Sequence, residues 1–278
     1  MKCYVTIFIV LLFCSCGDDK LKKIYKLDSF RILGIQANRP EVSVFHLPTE
    51  VALTPIMSDV NGDGRWIKVQ ISGCADPGVS LGADPSCEYA ADRIDYAYDD
   101  FNPLHLKENL YSGPMTSINV SIPAGILDGR NIFDKYNGFS YLVTFKFIVS
   151  GEIFKSYKRV VVSTKAQADL NTNPTAASIN FNNSTLTAVP KSEGSLDMFL
   201  ASGAENNLIL NLDGQYQILS EELGIAWFVS SGQVNSSLTL VNEQNLYTPS
   251  QPVPTNLVVI AVIRDGRGGL DYMIQKVP

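Results

Sequence analysis

Histidine is scarce in this chain of 278 residues, which contains only His46 and His105. A Ser-His-Asp triad needs a histidine positioned by tertiary structure, and no Gly-x-Ser-x-Gly motif is present. The glycines of 266–269 follow no strand-loop-helix pattern and indicate a turn, not a phosphate loop. The sequence therefore predicts a protein that is not an enzyme. An unrecognised envelope hydrolase stays an alternative, because carboxylates paired for glycoside cleavage are spaced in three dimensions.

The chain also lacks an excess of positive charge. Lysine and arginine total 22 against 28 aspartates and glutamates, which gives a formal net charge of −6. Nucleic-acid binding usually requires a basic protein or a basic face, so the composition predicts no nucleic-acid partner. No histidine or second cysteine pair lies near Cys74 and Cys87, so the sequence predicts no zinc site either.

No apolar run is long enough to cross a bilayer, which takes about 20 residues. The longest one near the start, from Cys3 to Ser15, follows the positive charge of Lys2. Its length and composition fit the hydrophobic region of a secretory signal, which is about 7–15 residues. The sequence therefore predicts export from the cytoplasm.

The end of that run, "FCSC", resembles the lipobox of bacterial lipoproteins, in which a small residue precedes an invariant cysteine. The resemblance implies cleavage after Ser15 and lipidation of Cys16, although Phe13 replaces the usual leucine. It predicts a signal peptide at 1–15, a lipidated tether at 16–28 and a place in the cell envelope, at the outer membrane. An ordinary signal or an uncleaved anchor with incidental cysteines is the alternative.

Five cysteines occur in the chain. Removal of the signal peptide and acylation of Cys16 would leave Cys74 and Cys87, which flank a segment rich in proline and glycine. Two remaining thiols close together in an exported chain indicate a disulfide.

Beyond residue 29 the apolar residues follow a period of two, which is typical of half-buried strands. In "WIKVQISGC", for example, Ile67, Val69 and Ile71 alternate with polar residues. Short strands separated by Gly, Pro, Asn and Asp turns predict an all-β fold, with two tandem immunoglobulin-like β-sandwich domains. Residues 87–108 fit a short helix or an irregular insertion.

The polar segment "KAQADLNTNPTA" divides the two predicted sandwiches. The domains are 29–165, with a disulfide-stapled insertion, and 174–278, joined by a linker at 166–173. Because this linker lacks an apolar face, we expect little apolar contact between the domains and early proteolysis in this segment. The expected aromatic cores are Trp66 with Phe145 and Phe147 in the first domain, and Trp227 with Tyr247 in the second.

Two groups of segments resemble known families. The stretches "RILGIQANRPEVS" and "VALTPIMSDVNGDGRWIKVQISGC" resemble the first module of uncharacterised lipoproteins from predatory and social bacteria. The stretches "GIAWFVSSGQV" and "LYTPSQPVPTNLVVIAVIRDGRGGLDY" are similar to bacterial immunoglobulin-like and PKD-type modules. The resemblance implies a fold and a cell-envelope setting, but no activity, because this fold hosts many functions.

One stretch, "DVNGDG", matches the first half of a calcium-binding loop, with oxygen ligands predicted from Asp59, Asn61 and Asp63. The twelfth position is Gln70 instead of a bidentate glutamate, and a strand pattern follows where an EF-hand has a helix. The same residue types also suit a plain turn. The sequence favours the turn, keeps calcium as an alternative and predicts no other cofactor.

These features together predict a membrane-anchored lipoprotein with a non-enzymatic role in binding, adhesion or scaffolding. Its expected partners are the membrane, through Cys16, and envelope proteins or glycans. A glycan-binding lipoprotein is the alternative, and it requires an exposed aromatic platform from Tyr89, Tyr96, Tyr98 and Phe101.

Overall fold

The computed structural model describes residues 23–78, 84–103 and 111–278, and these residues are nearly all in strands and the turns between them. The predicted signal peptide, Cys16 and His105 lie outside the described residues. Within the described ranges, no helix has both the length and the apolar character needed to cross a membrane.

The first β-sandwich consists of two facing sheets. Sheet I contains β1, β3, β6 and β7, with β3 paired to the other three, and sheet II has the order β2-β9-β8-β4-β5. All pairings are antiparallel except that of β2 with β9. The bounds of these elements are β1 Arg31–Ala37, β2 Glu41–Ser43, β3 Thr49–Asp59, β4 Ile67–Ala75, β5 Ile94–Tyr96, β6 Tyr111–Pro114, β7 Ile118–Ile122, α1 Ile132–Asn137, β8 Phe139–Val149 and β9 Glu152–Ser163.

The second β-sandwich also has two sheets, with a separate hairpin beside them. Sheet III has the order β17-β15-β19-β20, sheet IV has the order β11-β10-β12-β18-β16, and β13 pairs only with β14. The bounds are β10 Thr175–Phe181, β11 Ser184–Thr185, β12 Gly194–Ser202, β13 Asn206–Leu210, β14 Tyr216–Ser220, β15 Gly224–Val229, β16 Gln233–Val234, β17 Leu238–Leu240, β18 Asn245–Thr248, β19 Leu257–Arg264 and β20 Leu270–Val277.

Each sandwich has its own apolar core, built by alternation along the strands. In the first, Tyr141, Phe145 and Phe147 of β8 are fully buried between sheets I and II. In the second, Trp227 and Tyr247 are fully buried between sheets III and IV. Because successive side chains of a strand point to opposite faces, these residues occupy the inward faces that the period-two pattern predicts. The predicted fold class, two tandem immunoglobulin-like sandwiches, is confirmed.

Trp66 does not belong to the first core, and that part of the prediction is wrong. Its side chain is 57% exposed, while the next residue, Ile67, is fully buried. The reason is strand register: Trp66 precedes β4 in the same alternation as Lys68 and Gln70, which are also exposed. Adjacent residues of a strand point to opposite faces, so only one of Trp66 and Ile67 can face the core, and Ile67 does so.

A third apolar cluster joins the two sandwiches, contrary to the expectation of little apolar contact between them. Leu33 and Ile56 of sheet I pack with Phe228, Ile260 and Val262 of sheet III, and all five are buried. Strand β19 is therefore covered on both faces, by its own core and by the first sandwich. The signal in the sequence was its continuous apolar run, "LVVIAVI", which is typical of a strand buried on both sides.

The polar linker contributes to this junction and is only partly exposed. Leu170 and Asn171 are buried. The Asn173 side chain donates to the Ala37 carbonyl at 2.7 Å and accepts from the Leu270 amide at 2.9 Å. A segment that bonds to both sandwiches is not a loose tether, so the expected early proteolysis loses its physical basis for 170–173. Residues 166–169 remain exposed.

Residues 25–27 of the predicted tether are docked on the second sandwich. Lys26 forms a parallel bridge with Val229 at the end of β15. The Leu27 amide donates to the Val229 carbonyl at 3.0 Å, and the Val229 amide donates to the Tyr25 carbonyl at 2.8 Å. Leu27 itself is 1% exposed within the inter-sandwich cluster. These three residues of the predicted tether are therefore part of the folded body.

A disulfide joins Cys74 at the end of β4 to Cys87 in the following segment, as the sequence predicts. The two Cα atoms are 5.7 Å apart, and both side chains are fully buried against Leu142. The bridge precedes an insertion that, over its described residues 88–103, is irregular apart from β5; over this range it agrees with one of the two forms predicted for residues 87–108.

We expect the double variant Cys74→Ser, Cys87→Ser to lose at most about 3 kcal/mol of unfolding free energy, because the closed loop is short. Hydrogen exchange should rise in the insertion 84–98 more than in sheet II. The measurement is urea unfolding with amide exchange by mass spectrometry. Recovery of both cysteines as alkylatable thiols in wild-type protein isolated from the envelope would contradict the pairing.

Candidate binding cleft between the sandwiches

A cleft of about 710 Å³ lies where the two sandwiches meet. Its walls are β1 and β9 of the first sandwich and the turn between β19 and β20 of the second. Ligand sites commonly lie at such junctions, and this volume falls within the usual range for small-molecule sites, about 300–1,000 Å³. The cleft therefore has a position and a volume suited to a small ligand.

The wall formed by β9 is a sheet edge. Strand β8 pairs with β9 along its whole length, but β2 covers the other side only at Val161–Ser163. Residues 156–159 of β9 line the cleft in the part that β2 leaves uncovered. Such an edge presents backbone donors and acceptors, so the cleft offers hydrogen bonds in addition to its side chains.

The lining is strongly cationic although the chain is acidic overall. It contains five basic side chains and, among the described residues, a single carboxylate, Glu41. Three of the five have acidic partners. Arg159 pairs with Asp76, Lys165 lies 3.7 Å from Glu41, and Arg267 lies 3.3 Å from Glu205 and also pairs with Glu221.

The other two cations, Lys158 and Arg264, form no ion pair with any carboxylate in the described ranges. Lys158 is 7% exposed, and its ammonium donates to the Gly268 carbonyl. Arg264 is half-buried, and its Nη2 donates to the Leu33 carbonyl at 2.6 Å. Both side chains bond across the junction to the opposite sandwich.

Burial lowers the pKa of both groups. Removal from water lowers the pKa of Lys158 to about 8; the nearby Asp265 opposes this shift and the charge of Arg264 adds to it. Burial likewise lowers the pKa of Arg264. A buried charge is costly unless it is paired, and within the described residues neither cation forms an ion pair to offset that cost.

Below the cleft, a polar network joins the linker to both sandwiches. The amide of Asn171 donates to Glu41 at 2.9 Å, and its side chain donates to Asp265 at 2.8 Å. Asp265 also accepts from the amides of Arg267 and Gly269, each at 2.8 Å. The linker is therefore bonded to Glu41 of the first sandwich and to Asp265 of the second, and the β19–β20 turn is bonded to Asp265.

Two glycines permit the close approach of the walls. Gly268 has a φ of 109°, a conformation that residues with a side chain rarely adopt, and its carbonyl receives the bond from Lys158. A Cβ atom on Gly34 of β1 would lie 2.7 Å from Leu270 and 3.6 Å from the Arg264 guanidinium. The "GRGG" segment is thus a turn, as predicted, and it also forms one wall of the cleft.

The residues predicted for calcium lie elsewhere, at the turn after β3. Both carboxylate oxygens of Asp59 accept from Arg65, at 2.8 Å and 3.0 Å. The Asn61 amide donates to the Asp28 carbonyl at 2.8 Å, and Asp63 has a φ of 49°. Arg65 supplies the positive charge beside Asp59, so a calcium ion there would first have to displace it. Calcium stays an untested alternative to the turn.

The four aromatics proposed as a glycan platform do not form one exposed surface. Tyr89 is 92% exposed, but Phe101 is 8% exposed and pairs with Ile67 in a β-bridge. Tyr96 and Tyr98 are half-buried, and each hydroxyl donates to a backbone carbonyl at 3.1 Å. Both rings pack against the first core, so the exposed platform that the glycan alternative requires is not formed by these four residues. His46, in a turn after β2, is exposed.

The cleft residues themselves were absent from the sequence-based candidates. One signal was available, because Lys158 shares its register with Val160 and Val162, and inward-facing lysines are unusual. Arg264 similarly continues the register of Ile260 and Val262, which face the first sandwich. Neither position indicates a site until the packing of the two sandwiches is known.

No protein-family model matches the chain, and no curated protein sequence matches it. Similar solved structures include a red sea bream transglutaminase, at 8% identity over 90% of this chain and 31% of that one, with a TM-score of 0.28. The D0-D1 domain of intimin has 12% identity over 89% and 96%, with a TM-score of 0.23. The two tandem V-type regions of VCBP3, a v-region-containing chitin binding protein, have 12% identity over 89% and 99%, with a TM-score of 0.28.

The chain thus spans about a third of the transglutaminase it resembles. All three TM-scores are below 0.5, so the ligand and role have to be argued from the chain's own residues.

Proposed function

We propose that this protein is a lipid-anchored, non-enzymatic binding protein of the bacterial cell envelope, with its ligand site in the cleft between the sandwiches. An immunoglobulin-like sandwich architecture is compatible with a binding or adhesion module. The observation that carries the binding role is the cleft itself, which combines a ligand-sized volume with a buried lysine, Lys158, and a half-buried arginine, Arg264, neither of which forms an ion pair in the described residues. Such groups are suited to holding a ligand.

The anchoring half of the proposal rests on the border at Cys16, and the docked segment limits how far the second sandwich could lie from such an anchor. From residue 16 to residue 25 the chain advances nine residues, which span at most about 30 Å when fully extended. Because residues 25–27 are bonded to the second sandwich, a lipid on Cys16 would hold that sandwich close to the outer membrane.

We expect Cys16→Ala to release the protein from the membrane fraction and to abolish labelling by a fatty-acid probe, because the acyl chains would have no attachment point. Cys14→Ala is the matched control: it removes a neighbouring thiol inside the predicted signal and should change neither result. Cell fractionation with probe labelling measures both variants. A Cys16→Ala protein that stays labelled and membrane-bound would refute the anchor.

A further inference from the structure

Lys158 and Arg264 are the two cations of the cleft that form no ion pair in the described part of the chain. They come from β9 and β19, one from each sandwich, and both line the cleft. We infer that together they bind the oxyanion group of a small ligand, such as a phosphate, sulfate or carboxylate. This inference rests on the proposed binding function and names the chemical class of its ligand.

The hydrogen bonds within the protein do not use the full capacity of these two groups. A lysine ammonium has three donors and a guanidinium has five. The structure assigns one protein acceptor to each, the carbonyls of Gly268 and Leu33. The remaining donors border a cleft, where an oxyanion with several acceptor oxygens would match them.

The other three cations of the cleft differ from these two because ion pairs within the protein balance their charges. Arg159, Lys165 and Arg267 line the same cleft, and each has a carboxylate partner. Lys158 and Arg264 hydrogen-bond only to backbone carbonyls in the described residues, and they repel each other because both are positive, although Asp265 partly offsets the charge of Lys158. An anion placed near both would offset this repulsion and supply the missing partner.

The other lining groups favour an oxyanion over a simple halide. Ser140 and Ser156 bring hydroxyls to the cleft, and the guanidinium of Arg264 has the fork geometry that matches two oxygens of one group. The volume of about 710 Å³ exceeds that of a bare ion and leaves room for an attached organic body. The ligand class is therefore a small molecule with an oxyanion at one end.

The test is calorimetry on the full chain in neutral detergent, with inorganic phosphate, sulfate or acetate titrated at constant ionic strength and chloride as the reference. We expect saturable binding of at least one oxyanion. Lys158→Gln and Arg264→Gln should each weaken it by tenfold or more, because each removes one of the two charges. Lys155→Gln is the matched control: it lies on β9 outside the cleft, is exposed, and should leave the affinity unchanged.

Lys158→Arg keeps the charge and should retain binding within a few-fold, which separates a charge effect from a folding defect; circular dichroism melting checks each variant. A glycerol 3-phosphate arm identifies the source: tighter binding than inorganic phosphate indicates a lipid headgroup, and equal binding indicates a free oxyanion. The inference is overturned if wild-type protein binds no oxyanion above chloride, or if both glutamine variants bind like wild type. Neither result depends on Cys16, so a negative result would reject the oxyanion site without rejecting the proposed lipid anchor.

Discussion

Replacement of Trp227 by alanine should destabilise the protein by about 3–5 kcal/mol, the range for truncation of a large buried aromatic. Trp227 lies on β15, the central strand of sheet III between β17 and β19, and its side chain is fully buried. Its indole N–H donates to the Thr239 hydroxyl at 2.9 Å. The variant loses both the apolar volume and the partner of Thr239. Because a domain's whole stability is about 5–15 kcal/mol, this loss is large enough to unfold much of the population.

The chain offers a matched control for this prediction, because it has only two tryptophans. Trp66 is 57% exposed, so Trp66→Ala should cost clearly less unfolding free energy than Trp227→Ala. Urea unfolding followed by far-ultraviolet circular dichroism measures both variants without relying on tryptophan fluorescence. Equal midpoints for the two alanine variants would refute the assignment of Trp227 as the anchor of the second core.

This pair of residues also shows which parts of the fold the sequence could predict. Alternation alone identified the buried face of β4, where Ile67, Val69 and Ile71 are all inward. It did so because the side-chain period of a strand is a local property of the backbone. Trp66 was assigned to the core by its size, against the alternation, and the structure places it outside.

The contact between the two sandwiches could not be predicted from the local pattern of apolar residues. The linker at 166–173 is polar, and its composition carries no information on the outer faces of sheets I and III. Those faces meet through Leu33, Ile56 and Ile260. The period-two pattern assigns each of these residues to a face of its strand, but it does not show which other face packs against it. The continuous apolar run of β19 indicates burial on both faces, which conflicts with the expectation of little apolar contact between the sandwiches.

The candidate site depends on the same long-range packing. Lys158 and Arg264 belong to different sandwiches, and each acquires its carbonyl partner only when the two sandwiches are in contact. By contrast, the disulfide of Cys74 and Cys87 could be predicted because chemistry and proximity in the chain both favoured it. Sites made from one segment can be predicted from sequence, and sites made from two domains require the structure.

The last expected result concerns the contact between the sandwiches: Ile260→Asp should destabilise the protein by more than about 4 kcal/mol. Ile260 is fully buried in the cluster that joins sheets I and III, and a carboxylate there would be desolvated without a partner. The isolated fragment 172–278 would expose the same face, with Phe228, Ile260 and Val262. Complete burial of such a side chain contributes about 1.5–3 kcal/mol, so the contact supplies a substantial part of the stability of either half.

Wild-type protein should therefore unfold in one cooperative transition, since loss of either sandwich uncovers the apolar face of the other. Ile260→Val is the matched control and should cost only about 0.5–1.5 kcal/mol while the single transition is kept. In Ile260→Asp the weakened contact should separate the unfolding of the two halves and expose the linker 166–173 to limited proteolysis. Calorimetry and timed protease digestion test both effects. Two independent transitions in the wild type, unchanged by Ile260→Asp, would show that the sandwiches are stable alone and that their apolar contact adds little.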